Sequence, residues 1–481
     1  MEINKNRLKN IEYIKNKTGN ASDITYKDIL LNNKTITIIY INSICDSNMI
    51  NDFILKAIDD NKNDINKDIY NYFKNYIPSN NMKEASNIYD ALTFLLNGFT
   101  IILFDEVKNI IAFENKAKLN SNIIRSENEK SLYGPSDSFC ENYETNIGLI
   151  RRRIRSENLQ FKECTVGSES NSKVSIFYMN KTCSEKLVND IYNKIKKINI
   201  KYVGNTNYIL DAISNTNRMI FPSSLKTERV DLACQKLIEG RIVLMCENTN
   251  EVIILPCMFS DFLKNPDDYY EKNLNTIFNR IIRVFALLLA LLTPAIYISL
   301  MAYNIEAIPS GLLINFSIQR DGVPFPTVLE ILAMGLMFQI LRESDLRFPG
   351  KGGSSISIVG ALVLGQAAVE AGIVSPITII IVGISSVASL AFSSIELINS
   401  LRWWQLILIL LATLFGFIGV MFGFIILVAL LVSNYSCNKP YFFPFEPFSK
   451  KGNKDAILIK NNYKFNPLKV FKREDNNEKD N

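Results

Sequence analysis

Two carboxylates stand in apolar stretches of this 481-residue chain. Glu330 lies in LEILAMGLMFQILRESDLRFPGKGG (329–353) and Glu370 in SISIVGALVLGQAAVEAG (355–372). A carboxylate among apolar residues is costly unless it is paired, so each marks either an ion site or a helix end. For Glu330 the spacing favours a helix end. Thr327 stands three residues before it, as in a capping box, and a negative charge suits a helix N-terminus. Thr327 is expected to cap the helix and Glu330 to reach back to it. Glu370 carries the sharper ion question. On a helix it ends one face made of Ser355, Val359, Leu362, Gln366 and Glu370. Polar groups occupy the ends of that face and two branched aliphatics its middle. Several copies around an axis would form an acidic ring and a hydrophobic constriction, which can gate by dewetting. The competing reading is a packing helix with Glu370 at headgroup level. Gly360 and Gly365 allow close helix contact in either case.

Enzyme chemistry has little to stand on. The chain has no histidine, which removes Ser-His and Cys-His catalysis and histidine metal sites. The eight cysteines form no CxxC pair, so no zinc site is expected. They read as small buried apolar residues of a reduced compartment. There is no phosphate-binding loop, so no catalytic residue, cofactor or metal ligand is assigned. A net charge of +5 is mild for this length and points away from nucleic acid.

The elements that hold these residues fall into two halves. Residues 1–282 are polar and begin without a signal peptide, so this half is expected in the cytoplasm. It contains an internal repeat. ITIIYINSICDSNMINDFILKAI (36–58) aligns without a gap with VSIFYMNKTCSEKLVNDIYNKI (174–195), matching Tyr40 with Tyr178, Asn42 with Asn180 and Cys45 with Cys183. ALTFLLNGFTIILFDE (91–106) likewise resembles ACQKLIEGRIVLMCEN (233–248), with Gly98 opposite Gly240. Each copy reads as strand, amphipathic helix, then a helix ending at a glycine before a strand pair. Two similar α/β lobes are expected. Between them, Arg151, Arg152, Arg153 and Arg155 crowd a helix and are expected to pair with local acids such as Glu141 and Glu157, or to dock on a neighbouring subunit or anionic headgroups.

Residues 284–433 are mostly apolar. VFALLLALLTPAIYISLMAY (284–303) carries no charge and follows Arg280 and Arg283, as a span with a cytoplasmic N-terminus should. Further spans are expected at 355–372, 373–392 and 401–433. The last exceeds one bilayer, so it tilts, extends beyond the lipid or bends at its glycines, and Gly419 and Gly423 suit close packing. With the basic tail after Lys450 also inside, the number of crossings is even. Four are expected, with 326–341 interfacial or re-entrant. Arg342, Glu343, Asp345 and Arg347 read as a salt-bridged elbow that couples this stretch to the next helix.

GPSDSFCENYETNIGLIRRRIRS, FPSSLKTERVD and the DGVPFPTVLE…LRESDLRFP…SIVGALVLGQAAVEAGIVSP run resemble the A subunit of spore germinant receptors, the GerA family. PGKGGSSISIVG departs from the family by a lysine and a Gly-Gly pair. The resemblance implies a subunit in the spore inner membrane, a pentamer in the family picture, that releases cations when a nutrient binds. It implies a transporter-like B subunit and a lipoprotein C subunit as partners. The expected layout is a first lobe and linker (1–150), a second lobe (151–270), an all-α multi-span membrane domain (271–433) and a basic cytoplasmic tail (434–481). The alternatives are an alternating-access transporter subunit or a membrane scaffold.

Overall fold

The computed structural model describes residues 2–31, 34–50, 69–76, 81–117, 131–213, 220–347 and 353–449, with single residues 52, 126, 129, 452 and 456. The chain divides into two compact units. Met1–Asn217 and Ser224–Cys257 contribute to the first, Arg218–Ser223 and Met258–Phe465 to the second.

The first unit opens with α1 (Arg7–Thr18), β1 (Ile24–Leu31) and β2 (Lys34–Ile41). Then come α2 (Ile69–Tyr76), β3 (Met82–Ala85), α3 (Ile88–Leu96), β4 (Phe99–Phe104) and β5 (Ile110–Glu114). After α4 (Tyr143–Arg153) the pattern returns: β6 (Leu159–Val166), β7 (Ser172–Met179), α5 (Glu185–Lys196), α6 (Thr206–Ile213), β8 (Leu225–Thr227), α7 (Val230–Ile238), β9 (Ile242–Cys246) and β10 (Val252–Leu255). The strands form two five-stranded antiparallel sheets, ordered β1-β2-β4-β5-β3 and β6-β7-β9-β10-β8. The second order is the first with each strand replaced by its counterpart.

The likeness extends to single hydrogen bonds. The Cys45 amide donates to the Ile41 carbonyl and the Cys183 amide to that of Met179. Asn42 N–H donates to Asp23 O at 2.9 Å and Asn180 N–H to Asn158 O at 2.8 Å. Gly98 and Gly240 end α3 and α7 at φ of 83° and 89°, a left-handed turn that glycine adopts without strain. β4 and β9 are buried at every position, so both sheets are covered on both faces and their central strands are continuous apolar runs. Six of the eight cysteines are buried, as their scatter suggested. Burial pushes the Cys183, Cys234 and Cys246 thiols up to about 12, which leaves them unreactive.

The second unit is helical: α8 (Asn273–Ala302), α9 (Ser310–Arg320), α10 (Thr327–Arg347), α11 (Gly353–Glu370), α12 (Pro376–Ser389) and α13 (Ile395–Ser433). α8 and α13 are long and apolar enough to cross a membrane. α13 is not one rod. Gly416 sits at φ 59°, ψ −142°, a conformation that is essentially glycine-only. A Cβ on Gly423 would lie 2.6 Å from Leu408 Cδ2, and one on Gly419 2.2 Å from the Leu411 carbonyl oxygen. In a straight helix Leu408 and Gly423 would stand roughly 22 Å apart. The segment therefore doubles back as a hairpin, and its small residues pack one arm on the other. Tyr303, just after α8, lies over the turn, and its hydroxyl donates to the Thr413 carbonyl at 2.6 Å. That bond meets a carbonyl whose helical partner the turn has taken away.

Both arms return to one base. Phe221 packs on Trp404 and Phe259, and Phe259 packs on Tyr441. The start of the tail is thus folded against 258–262. At the foot of α8, Arg280 and Arg283 both bind Asp268, at 2.9 and 2.7 Å. They are partners of one buried carboxylate as well as flanking charges.

Candidate functional site

Glu330 sits in the first turn of α10 and is fully buried. The expected capping box does not form. Thr327 is itself the first helical residue, and the Leu329 and Glu330 amides donate to the Pro326 carbonyl. The Glu330 carboxylate instead reaches α12. Its Oε2 accepts from the Ser375 amide, the Ser375 hydroxyl and the Thr378 hydroxyl, each at 2.9 Å. Ser375 is the N-cap of α12 and its own side chain makes no cap bond. Glu330 therefore supplies the cap from another helix, and its charge faces the positive end of the α12 dipole. Three donors across the gap hold the carboxylate better than one backbone amide behind it.

The other oxygen is treated differently. Glu330 Oε1 lies 4.0 Å from Arg320 Nε at the end of α9. Neither atom has a hydrogen-bond partner among the described residues, and the buried Tyr297 hydroxyl also has none. The Glu330–Arg320 pair is close enough for charge attraction and too far for a hydrogen bond.

α11 carries the proposed pore face. Gln366 and Glu370 are both exposed, four residues apart on one side of the helix. The side chains of Ser355, Val359 and Leu362 lie outside the described residues. Gly360 and Gly365 turn the other way: a Cβ at each would meet Leu341 of α10 at 3.4 Å and Ile379 of α12 at 3.7 Å. α11 is thus held between two helices by its small residues.

The elbow differs from its expected form. α10 runs unbroken through Arg347, so Arg342, Glu343 and Asp345 are helical. The turn itself, 348–352, lies outside the described residues, as does the Arg347 side chain. Arg342 and Asp345 line a cavity with Arg402. Among the described residues none of these three enters a salt bridge.

In the first unit the arginine run also has unforeseen partners. Arg151 is buried, and its Nε and Nη2 donate to the two oxygens of Asp23 at 2.9 and 3.1 Å. Its Nη1 donates to the Leu159 carbonyl at 2.9 Å. One side chain thereby joins the entrances of β1 and β6. Arg153 binds Asp137, and Arg155 Nη1 donates to Asn97 Oδ1, so the acids that Arg151 and Arg153 meet are Asp23 and Asp137. In FPSSLKTERVD, Thr227 and the Glu228 amide donate to Glu129. Burial pushes the Glu129 carboxyl up to about 7.

The model of the Bacillus/Clostridium GerA spore germination protein family matches residues 12–467. The chain belongs to this family. It is 32% identical over 460 residues to spore germination protein KA of Bacillus subtilis (strain 168), covering 95% of this chain and 85% of that one. It is 31% identical to spore germination protein GerQA of Bacillus cereus, covering 98% and 97%. It is 30% identical to the uncharacterized membrane protein YfkQ of Bacillus subtilis (strain 168), covering 95% and 89%. Among solved structures, the N-terminal domain of the A subunit of the Bacillus megaterium spore germinant receptor GerK3 matches with a TM-score of 0.41 and 24% identity. That match covers 54% of this chain and 98% of the other.

Proposed function

We propose that this GerA-family subunit oligomerises in the spore inner membrane, as a pentamer, and forms a nutrient-gated pathway for cations. Its partners in this reading are a transporter-like B subunit, which binds the nutrient, and a lipoprotein C subunit. The observation that carries the reading is the exposed Gln366–Glu370 face of α11, on a helix whose opposite side packs through Gly360 and Gly365. A ring of such helices would place Glu370 at one mouth and favour cations.

In this reading the chain crosses six times, by α8, α10, α11, α12 and the two arms of α13, with α12, at 14 residues, shorter than one hydrocarbon core. Six is even, so the N-terminal unit and the tail stay together on the cytoplasmic side. At about 1.5 Å per residue the 21 residues of α10 reach roughly 30 Å, one hydrocarbon core. In this reading α10 crosses, where the sequence alone suggested an interfacial or re-entrant stretch at 326–341. α10 would then act as a rigid rod, tied to α12 at Glu330 and continuous with the elbow that leads into α11. A partner that moves either end would move the pore helix.

Single-channel recording on the purified full chain in a planar bilayer tests the proposal. The expected result is a cation-selective conductance, with Glu370→Gln reducing the preference for cations and Val359→Ala or Leu362→Ala raising the open fraction. An oligomer that never conducts, with or without its partner subunits, overturns it.

A further inference from the structure

A cavity of about 730 Å³ opens among α8, α10, α12 and the first arm of α13. This is within the usual size range of sites for small ligands. Most of its wall is apolar, with Leu336, Val382 and Ile409 among the lining residues. Arg342, Asp345 and Arg402 also line it, near enough for Asp345 to act on Arg342 and Arg342 on Arg402. Arg402 donates only to Asn399 Oδ1, at 3.3 Å, and neither arginine is in an ion pair among the described residues. The two guanidiniums are near enough to repel each other, with Asp345 acting on Arg342 and Glu343 on Arg402 from the same turn of α10. An anion that accepts from both would remove their repulsion, and phosphate matches the guanidinium fork best.

The position of these arginines narrows the choice of anion. Arg402 directly precedes Trp403 and Trp404, and Trp403 is exposed. Indole rings of this kind settle at the headgroup level of a bilayer. Phosphate at headgroup level, with an apolar slot running from it towards the membrane interior, is the arrangement of a phospholipid. Basic pockets between spanning helices on the cytoplasmic side are suited to anionic headgroups. We propose that this cavity binds one anionic phospholipid, with the phosphate between Arg342 and Arg402 and an acyl chain along Leu336 and Ile409. The proposal rests on the membrane reading above. Because Arg342 belongs to the elbow, the lipid would hold α10 against α13 at the end nearest the pore helix.

The test begins with membranes that contain the full chain, washed in alkaline carbonate. The retained protein is then extracted in mild detergent and titrated with phosphatidylglycerol or phosphatidylcholine under native mass spectrometry. The expected result is one phosphatidylglycerol per chain, held roughly tenfold more tightly than phosphatidylcholine. Arg342→Gln/Arg402→Gln should abolish that preference. Leu336→Trp, at an exposed position that tolerates bulk, should weaken both lipids by filling the slot. Equal retention of the two lipids overturns the proposal, as does an unchanged preference in the double variant. So does disulfide capture of a second copy by Leu336→Cys, which would show a protein covering the slot. Release of the wild-type chain by carbonate would overturn the membrane reading itself, whereas an integral chain without lipid preference overturns only the lipid site.

Discussion

Arg151 and Glu330 are both buried charges, one in each unit, and the two units treat them in opposite ways. Arg151 meets both oxygens of Asp23 and a carbonyl, so each of its three nitrogens has a partner. Among the described residues, Glu330 has one oxygen with three donors and another with none, 4.0 Å from the Arg320 Nε, which is itself unmatched. A completed pair holds one geometry. A half-completed one leaves a second geometry within reach, because closing a short gap would gain a bond that the present state lacks. At these two sites the Arg151 pair therefore reads as fixed and the Glu330 pair as one able to shift.

The largest effect expected from breaking this contrast is at Asp23. Asp23→Ala strands the Arg151 guanidinium in a dry site and should cost about 3–5 kcal/mol. Hydrogen exchange on β1 and β6 in the full chain measures it, and a loss below about 1 kcal/mol would show that the pair is not the clasp. Glu330→Ala comes next. It deletes the acceptor of three bonds and leaves the α12 N-terminus uncapped, for about 1–3 kcal/mol, read as faster exchange in the first turn of α12.

A pH series sharpens the comparison from the side of the α/β unit. Glu129 holds its proton up to about 7 in the fold, against 4.5 when unperturbed. Its contribution to stability is complete below pH 4.5 and is lost as pH rises through 7, since the unfolded chain releases the proton first. Glu129→Gln should flatten the fall in unfolding temperature between pH 5 and 8. A wild-type unfolding temperature that rises over that range would contradict the assignment. The smallest effect belongs to Arg320. Its gap to Glu330 and its partial exposure predict a loss of at most about 1 kcal/mol for Arg320→Gln. A loss as large as that of Asp23→Ala would mean that the pair is closed in the working protein, and the contrast would disappear.

Much of the scaffold was legible before any coordinates. ITIIYI and VSIFYM lie in β2 and β7, and the helix ends at Gly98 and Gly240 fall where the repeat placed them. Their signals are local, made of apolar runs and a turn residue. The first strand of each sheet, ITYKDILL and LQFKECTV, was not read. These strands lie at sheet edges and have polar residues in their middles, so they lack the continuous apolar run of the central strands. α9 was missed because SGLLINFSIQR is too short and too mixed to stand out. The site residues divide in the same way. The packing roles of Gly360 and Gly365 were visible in composition. The partners of Glu330 are not, since they lie 45 and 48 residues downstream, whereas a capping box is seen within four. Asp23 is 128 residues from Arg151. Even the repeat concealed it, because the matching position in the second lobe is Asn158, which keeps the backbone bond and has no charge to offer.

The one-residue turn at Gly416 has a consequence for how the chain is made. A span that ends in a loop can enter the bilayer alone and wait for its neighbour. In the six-crossing reading proposed above, the two arms of α13 would enter as one unit, because the turn at Gly416 leaves no loop between them. The Tyr303 hydroxyl that closes the turn would come from a helix already delivered. The order of synthesis would then be the order of assembly, and the tail beyond Ser433 would never be translocated.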